Sequence, residues 1–402
     1  MNILQLSLKN IIDKKLNSFL CVLLLALGVS IISILLLVSK QLQDKFTKNI
    51  EGIDMVVGAK GSPLQLILSA VYQIDAPTGN IPLADFEKIA MNPMVKKAIP
   101  LSMGDNFKGF RIIGTNKLYA AHFKAEMASG KPFSMPLDVN LGAKVAALLG
   151  LKIGDTFSSS HGLDAAGEAH EDQKYKVVGI FKANNSVIDN VILTPLASIW
   201  AVHQHEEETH EGEAHEAEET VNQDITAGLL TFRNKMGIVM LPRIVNESSR
   251  MQSAVPAPEI NRLFSMLGVG ISTLQALALA IMLVAGISVF VSLYNALKDR
   301  KYEMALMLSM GASRTRLFLL LLLEGLILAV VGYLVGIGLS RLGLWLASAK
   351  MDQKYHYDLS QFGLQPEEGW LLVAALVIGT LAAAIPSLGI YRLEISKTLA
   401  EE

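Results

Sequence analysis

The segment KDRKYEMALMLSMGASRTRLF, residues 298–318, is a short basic stretch that lies between two long apolar runs. An excess of Lys and Arg in a short loop between apolar runs is typical of the cytoplasmic side of a membrane protein. The basic residues are Lys298, Arg300, Lys301, Arg314 and Arg316. Because the segment is too short to form a domain of its own, we interpret it as a docking element for a soluble partner.

Four apolar runs, two of which flank this segment, predict four transmembrane helices. Residues 19–38 are 20 consecutive uncharged positions. At 1.5 Å per residue such a helix spans about 30 Å, the thickness of the hydrocarbon core of a bilayer. The other runs are residues 268–297, 317–339 and 370–391. The prediction is an α-helical membrane protein with four transmembrane helices plus a large mixed α/β extracytoplasmic domain between helices 1 and 2.

Charged residues near both ends of the chain set its orientation. Lys9, Lys14 and Lys15 precede the first apolar run, and Arg392 and Lys397 follow the last. Both termini are therefore predicted to be cytoplasmic. The predicted order is a cytoplasmic N-terminus with transmembrane helix 1 (1–40), an extracytoplasmic domain (41–265), transmembrane helix 2 (266–297), a cytoplasmic coupling loop or helix (298–316), transmembrane helix 3 (317–340), an outer loop (341–369), transmembrane helix 4 (370–391) and a cytoplasmic tail (392–402).

Composition and missing motifs exclude several classes of function. The chain has 402 residues and a net charge of −2, which indicates no nucleic-acid partner. Cys21 is the only cysteine, so no disulfide can form within the chain. The G-x-x-x-x-G-K-[ST], H-E-x-x-H and G-x-S-x-G motifs are all absent. We therefore predict that the chain holds no ATPase or peptidase site and no cofactor, and that any energy from ATP comes from another polypeptide.

The stretch between the first two apolar runs has the mixed pattern of an α/β domain. The pattern predicts helices over residues 83–90 and 139–150 and strands over residues 95–101, 110–114, 175–181 and 187–194. Residues 56–72 are apolar on one face of a helix, and two interpretations stay open. The helix either packs on the domain core or lies at the outer leaflet and receives a lipidic or peptidic substrate.

A His- and Glu-rich insertion, residues 203–219, differs from the rest of the outer domain. Its sequence HQHEEETHEGEAHEAEE has eight glutamates together with His203, His205, His210 and His215. Imidazole and carboxylate groups both bind zinc, but their spacing here matches no closed tetrahedral site. A mobile, solvated acidic loop and a weak, multi-site metal-binding segment are both consistent with the sequence.

Three residues inside the apolar runs carry specific expectations. Glu324 is a carboxylate in a membrane helix, so it is expected to face protein or water rather than lipid. A structural pair with an interfacial Arg or Lys and a direct role in substrate passage are its two alternatives. Gly332 and Gly336 form a G-x-x-x-G pattern, which permits close helix approach and is consistent with dimerisation.

Several short motifs occur in a fixed order along the chain. One consists of Arg300, Glu303, Met304, Ala305, Leu308, Met310, Gly311, Ala312 and Ser313, followed by Leu322, Glu324 and Gly325. Residues 139–155 and 177–180 form two more in the outer domain. Together they resemble the MacB/FtsX-type ABC transporter permease superfamily, with its MacB-like periplasmic core domain. The chain departs from the family's pattern at the tail, where Ile395 and Ser396 replace an acidic residue and a proline.

The resemblance implies the permease subunit of an ABC transporter in the bacterial cytoplasmic (inner) membrane. A separate ABC ATPase subunit would bind ATP and magnesium, and its energy would move or release a lipoprotein, peptide, lipid-like or metal-linked substrate. The resemblance also implies a homodimer or a pair with a related permease, and a periplasmic partner. The residues implied for ATPase coupling are Arg300, Glu303, Met304, Leu308, Gly311, Ser313 and Arg314.

Two other functions remain as alternatives. A transmembrane signalling scaffold would regulate a periplasmic enzyme without transport. A metal-handling membrane protein would bind zinc through residues 203–219. Co-purification of an ATPase through residues 298–316 tests the ABC transporter interpretation, and reconstituted substrate release then separates a transporter from a signalling scaffold.

Overall fold

The computed structural model of the protein describes residues 3–162, 169–202, 223–355 and 363–392. The chain divides into two compact units, one formed by Gln43–Ser265 and the other by Met1–Leu42 together with Met266–Glu402. The first unit is a mixed α/β domain and the second is a set of long apolar helices. The α/β domain follows the first long helix in sequence and precedes the second, as predicted.

The bounds of the elements are as follows. The helices are α1 Ile3–Asp13, α2 Lys15–Ile50, α3 Pro63–Ala70, α4 Leu83–Ala90, α5 Lys117–His122, α6 Ala143–Leu149, α7 Lys235–Ser248, α8 Pro256–Asp299, α9 Lys301–Ser309, α10 Arg314–Tyr355 and α11 Gly369–Ser387. The strands are β1 Met55–Ala59, β2 Ile81–Pro82, β3 Val95–Phe107, β4 Phe110–Thr115, β5 Met127–Gly130, β6 Asp138–Leu141, β7 Thr156–His161, β8 Ala169–Phe181, β9 Val191–Pro195, β10 Asp224–Ile225, β11 Ala227–Phe232 and β12 Met251–Ala254.

The α/β domain is built on one large mixed sheet. Its strand order is β12-β1-β11-β3-β4-β9-β6-β8-β5, and β7 pairs with β3 and β8. The pairs β4–β9 and β6–β8 are parallel, whereas pairs such as β3–β4 and β1–β11 are antiparallel. This mixture of helices with parallel and antiparallel strands confirms the predicted mixed α/β class.

Apolar side chains lie on both faces of the sheet. On β1, Val56 belongs to one core cluster, whereas Met55 and Val57 belong to another, because successive side chains of a strand point to opposite faces. The first cluster includes Ile67 of α3, and the second includes Phe86 of α4. The domain therefore has a hydrophobic core on each face of its sheet.

The structure differs from the sequence-based expectation at two places in this domain. Residues 139–150 form a strand and then a helix, β6 and α6, rather than one helix. The strand is favoured because β6 pairs with both β8 and β9, and because the buried Asn140 side chain accepts from Phe133 N–H and donates to Lys131 O. Similarly, a 3-10 turn, Val187–Asn190, precedes β9 where the sequence predicts a continuous strand.

The burial of residues 56–72 distinguishes between packing on the domain core and a position at the outer leaflet. They form β1 followed by α3, whose N-cap Ser62 accepts from Gln65 N–H. Leu66 and Ile67 of α3 are completely buried. This burial favours the interpretation that α3 packs on the domain core.

Within the part of the chain that the structure describes, the helical unit has four helices that are long and apolar enough to cross a membrane. These candidate spans are Lys15–Ile50, Pro256–Asp299, Arg314–Ser348 and Pro366–Tyr391. One core cluster contains side chains from all four, among them Leu25, Val289, Leu328 and Ala383. The prediction of four membrane helices is therefore confirmed by length and composition, and the helices pack as one bundle.

His122, at the end of α5, makes the stability of the α/β domain depend on pH. Burial lowers the pKa of His122 below its usual value of 6.5, and the charge of Lys97 acts in the same direction. The unfolded chain therefore takes up the proton first as the pH falls, so stability is complete above the usual pKa and is lost below it.

We expect the unfolding temperature of the whole protein to decrease as the pH is lowered from about 7.5 to about 5.5, the range in which histidines titrate. The His122→Gln variant should show a shallower fall. All other histidines are common to the two chains, so the difference between the slopes belongs to His122. Equal slopes in a thermal unfolding series would show that His122 is not responsible.

Candidate functional site

The basic segment between the second and third membrane spans folds as a short helix. This helix, α9, is separated from α8 by Arg300 alone. At its other end, Met310 is the C-cap and Gly311 follows with φ +96°, a conformation that glycine adopts without strain. Gly311 N–H donates to Leu308 O and Ala312 N–H donates to Met307 O, the two hydrogen bonds of a Schellman motif. The C-terminal end of α9 is thus fixed by its own backbone.

One face of α9 packs against the bundle. Met304 is 3% exposed. It shares a cluster with Leu297 of α8 and Leu317 of α10, and Leu308 packs against the same cluster. The predicted coupling residues Met304 and Leu308 therefore support the helix from its inner side and do not form its outer surface.

The opposite face of α9 is apolar and exposed, although sequence reasoning did not single it out. Tyr302, Leu306 and Met310 are 42%, 45% and 80% exposed. They are spaced by four residues, so they form one stripe along the helix. The spacing is visible in the sequence, but the same apolar residues are equally compatible with a buried face. Only the position of Met304 and Leu308 tells the two faces apart.

The charged residues at the start of α9 have different surroundings. Arg300 lies with Nη2 3.8 Å from Asp13 Oδ2 and Nε 4.0 Å from Glu303 Oε2. The Arg300 side chain is 21% exposed, whereas that of Glu303 is 68% exposed. Glu303 is therefore available to a partner, while Arg300 is directed toward α1.

The other two predicted coupling residues lie at the start of α10. Ser313 Oγ accepts from Arg316 N–H at 3.3 Å, which satisfies one of the free N–H groups of the first turn. Arg314 Nη1 donates to Tyr391 O at 2.7 Å. Ser313 thus caps the first turn of α10, and Arg314 alone of the two joins the start of α10 to the end of the last span.

Glu324 is buried among polar groups on the same side of the bundle. It is 4% exposed, and its Oε1 accepts from Asn10 Nδ2 at 2.6 Å. Its expected partner was an interfacial Arg or Lys, but the hydrogen-bond donor is the amide of α1. Lys14 and Arg300 line the same small cavity as Glu324.

Gly332 and Gly336 face the first membrane span of the same chain. A Cβ built on Gly332 would lie 2.8 Å from Leu25 Cβ, and one on Gly336 would lie 2.8 Å from Ala26 O and from Val29 Cβ. Real Cβ atoms do not approach this closely. The G-x-x-x-G pattern therefore serves contact between α10 and α2 within one chain.

The Gly332→Leu variant should have a less stable helix bundle, because overpacking a close helix contact costs about 1–3 kcal/mol. Gly338→Leu is the matched control, since a Cβ at Gly338 meets nothing within 4 Å. We expect a lower unfolding temperature in detergent for Gly332→Leu and almost no change for Gly338→Leu. Equal shifts in the two variants would contradict the intrachain contact.

A second buried polar group lies at the far end of the bundle from α9. Arg341 Nη1 and Nη2 donate to Glu368 Oε1 and Oε2 at 2.9 and 2.7 Å, so the ion pair is bidentate. Ser33 Oγ also donates to Glu368 Oε1, and Glu368 has no exposed surface. This cluster of Ser33, Arg341 and Glu368, here called the outer clasp, joins α2, α10 and the start of the last span. Sequence reasoning placed Arg341 and Glu368 in a loop and missed it.

The candidate zinc ligands His203, His205, His210 and His215 lie outside the described residues. Within the described ranges, no group of three or more His, Cys, Asp or Glu side chains is placed to hold a metal ion. The metal-binding prediction therefore stays a prediction.

Comparison with known protein families supplies the identification. Residues 18–227 match the MacB-like periplasmic core domain, and residues 276–395 match the C-terminal domain of FtsX-like permeases. The chain belongs to the MacB/FtsX family of ABC transporter permeases. Members of this family are membrane-spanning permease subunits that are generally not catalytic themselves and that normally work with an ABC ATPase.

Two solved structures share a distant likeness with this MacB/FtsX permease. The periplasmic region of MacB from Actinobacillus actinomycetemcomitans is 9% identical, with a TM-score of 0.33, over 55% of this chain and 97% of that one. The extracellular domain of the noncanonic ABC-type transporter YknZ from Gram-positive bacteria is 13% identical, with a TM-score of 0.30, over 50% of this chain and 98% of that one. Among curated proteins, no relative matches.

Proposed function

We propose that this chain is the permease subunit that transmits ATP hydrolysis by a separate cytoplasmic ATPase to the α/β domain outside the membrane. The observation that supports the proposal is the outer face of α9. It presents Tyr302, Leu306 and Met310 beside the exposed carboxylate of Glu303. The inner face of the same helix is packed against α8 and α10, so a force on α9 reaches two membrane spans.

The site has the chemical character of a protein interface. An apolar centre with a charged rim is typical of specific protein contacts, and aromatic and Met side chains are enriched there. Lys301, Arg314 and Arg316 are exposed around α9 and add positive charge to that rim. We therefore expect the ATPase to offer an apolar groove with acidic residues at its edge. ATP and magnesium would be held by that partner and not by this chain.

The location, the assembly and the substrate class that we propose follow from the family. The protein would reside in the bacterial inner membrane with both termini in the cytoplasm, and would act as a homodimer or with a related permease. Its α/β domain would move or release a lipoprotein, peptide, lipid-like or metal-linked substrate, with a periplasmic partner receiving it. Zinc binding by residues 203–219 is tested separately by calorimetric titration of the whole protein and of a variant that lacks those residues.

Co-purification tests the proposed function. A tagged copy of the protein, solubilised from its own cells, should bring down an ATPase that contains the Walker motifs. The complex should hydrolyse ATP, and in vesicles it should move or release a substrate only with ATP. Isolation without any ATPase would refute the permease role. ATP hydrolysis without substrate movement would favour the signalling scaffold instead.

A further inference from the structure

Residues 10–14, at the end of α1, contact α8, α10 and the residue that precedes the coupling helix. Lys14 Nζ lies 2.9 Å from Oδ2 of Asp299, the last residue of α8. Asp13 pairs with Arg300 at 3.8 Å. Asn10 donates to Glu324 of α10 at 2.6 Å. About one turn of chain at the end of α1, residues 10–14, thus reaches α8, the residue before α9, and α10.

Arg300 is the point at which these contacts matter most. It is the single residue between α8 and α9, and its backbone, with φ −107° and ψ 18°, is not helical. The direction of α9 relative to α8 therefore depends on the two backbone angles of this residue. Its side chain is held between Asp13 and Glu303, so α1 contacts the hinge directly.

The cavity among these residues is too small to be a ligand-binding site. The cavity lined by Asn10, Lys14, Arg300 and Glu324 has a volume of about 20 Å³, which is room for about one water molecule. It is too small for a lipid or a transported substrate. A carboxylate in a membrane helix is costly unless protein groups satisfy it, and here the amide of Asn10 does so. The position of α1 therefore supplies the hydrogen bond that satisfies the buried Glu324.

We infer that α1 is a positioning element for the coupling helix: Asn10 anchors it on Glu324, and Asp13 and Lys14 hold the hinge at Arg300 and the end of α8. This inference rests on the proposed function, because it concerns how α9 is directed toward the ATPase. It assigns to Arg300 a contact within the chain in place of the contact with the ATPase that the family resemblance implies.

The Lys14–Asp299 pair allows a positioning role of α1 to be distinguished from simple structural support. Ion pairs that solvent reaches contribute little to stability, and the side chains of Asp299 and Lys14 are 63% and 26% exposed. Reversing one charge of the Lys14–Asp299 pair should therefore leave the bundle folded. It should also leave the exposed face of α9 intact for docking, and disturb only the direction of the helix.

Charge reversal and charge exchange in the whole complex test the inference. Lys14→Glu and Asp299→Lys should each lower permease-dependent ATP hydrolysis about fivefold, a modest coupling effect between two sites. The double exchange should restore it, and all three variants should retain the ATPase on purification and the wild-type unfolding temperature. Lys15→Glu is the matched control, because Lys15 is exposed at the next position and undergoes the same change of charge.

A measurement without the ATPase keeps the test independent of the partner. Spin labels at Ser309→Cys on α9 and Val373→Cys on α11, both exposed positions, should give a narrow distance distribution in the wild-type background. Lys14→Glu should broaden it, and the double exchange should narrow it again. Unchanged distances and unchanged hydrolysis in Lys14→Glu, or a double exchange that fails to rescue, would overturn the positioning role. If no ATPase binds the wild-type protein, the proposed function fails, whereas the spin-label result still decides whether α1 holds α9.

Discussion

Replacing Leu306 with arginine is expected to separate the ATPase from the permease while the permease stays folded. Leu306 lies at the centre of the exposed stripe between Tyr302 and Met310. Central apolar side chains of an interface each contribute about 2 kcal/mol or more to binding when they are hot spots. A loss of that size weakens binding about thirtyfold, and burying the new charge against an apolar groove adds to the loss. Titration of the purified ATPase against the permease in detergent measures the change.

Two control variants make the result specific to one face of α9. Met304→Arg places the same charge on the inner face, where Met304 is 3% exposed, and should lower the unfolding temperature itself. Leu148→Arg makes the same substitution at an exposed leucine of α6 in the α/β domain, 51% exposed, and should change neither stability nor binding. If Leu306→Arg binds the ATPase as tightly as the wild type, the stripe is not the docking face.

The outer clasp should give the largest stability effect in the protein. Removing one partner of a buried ion pair costs about 3–5 kcal/mol, because the other charge is left buried and uncompensated. Glu368 has no exposed surface and receives two hydrogen bonds from Arg341. Arg341→Ala and Glu368→Ala should therefore each lower the free energy of unfolding by about that amount. Reversible unfolding in mixed micelles is the measurement.

An exposed ion pair, which includes the residue next to Glu368, serves as the control for the buried pair. Lys40 and Glu367 form an ion pair at 3.2 Å whose side chains are 42% and 51% exposed. An exposed pair contributes about 0–1 kcal/mol, so Lys40→Ala should change stability little. The double variant Arg341→Met with Glu368→Leu removes both buried charges and should recover much of the loss seen in the single variants. A small effect in Glu368→Ala would contradict the burial on which the clasp depends.

The large features of this fold could be predicted because they depend on local sequence. A run of 20 uncharged residues has few structures other than a membrane helix, and the polar stretch between two such runs has to fold outside the membrane. The end of α9 was also predictable, because a glycine after an apolar helix commonly adopts positive φ. These features need no knowledge of which residues meet in space.

The features that could not be predicted depend on distant residues. Arg341 and Glu368 are 27 residues apart in sequence, and each resembles an ordinary charged residue until the clasp brings them together. The apolar stretch of residues 139–150 fits a helix and a strand equally well, and pairing with β8 and β9 decides for the strand in its first part. The two faces of α9 differ only in what lies against them. In each case the tertiary environment selects between local structures of similar free energy.

The Schellman motif at Gly311 restricts how α9 can change length. Its C-terminal carbonyls are already satisfied by Gly311 N–H and Ala312 N–H, so α9 cannot gain a residue at that end without breaking both hydrogen bonds. The other end is open, since Arg300 provides no side-chain cap and is the only residue that separates α9 from the 44-residue α8. A helical backbone at Arg300 would fuse the two helices into one continuous rod. Winding and unwinding at that single residue would then switch α9 between a separate helix and an extension of the second membrane span.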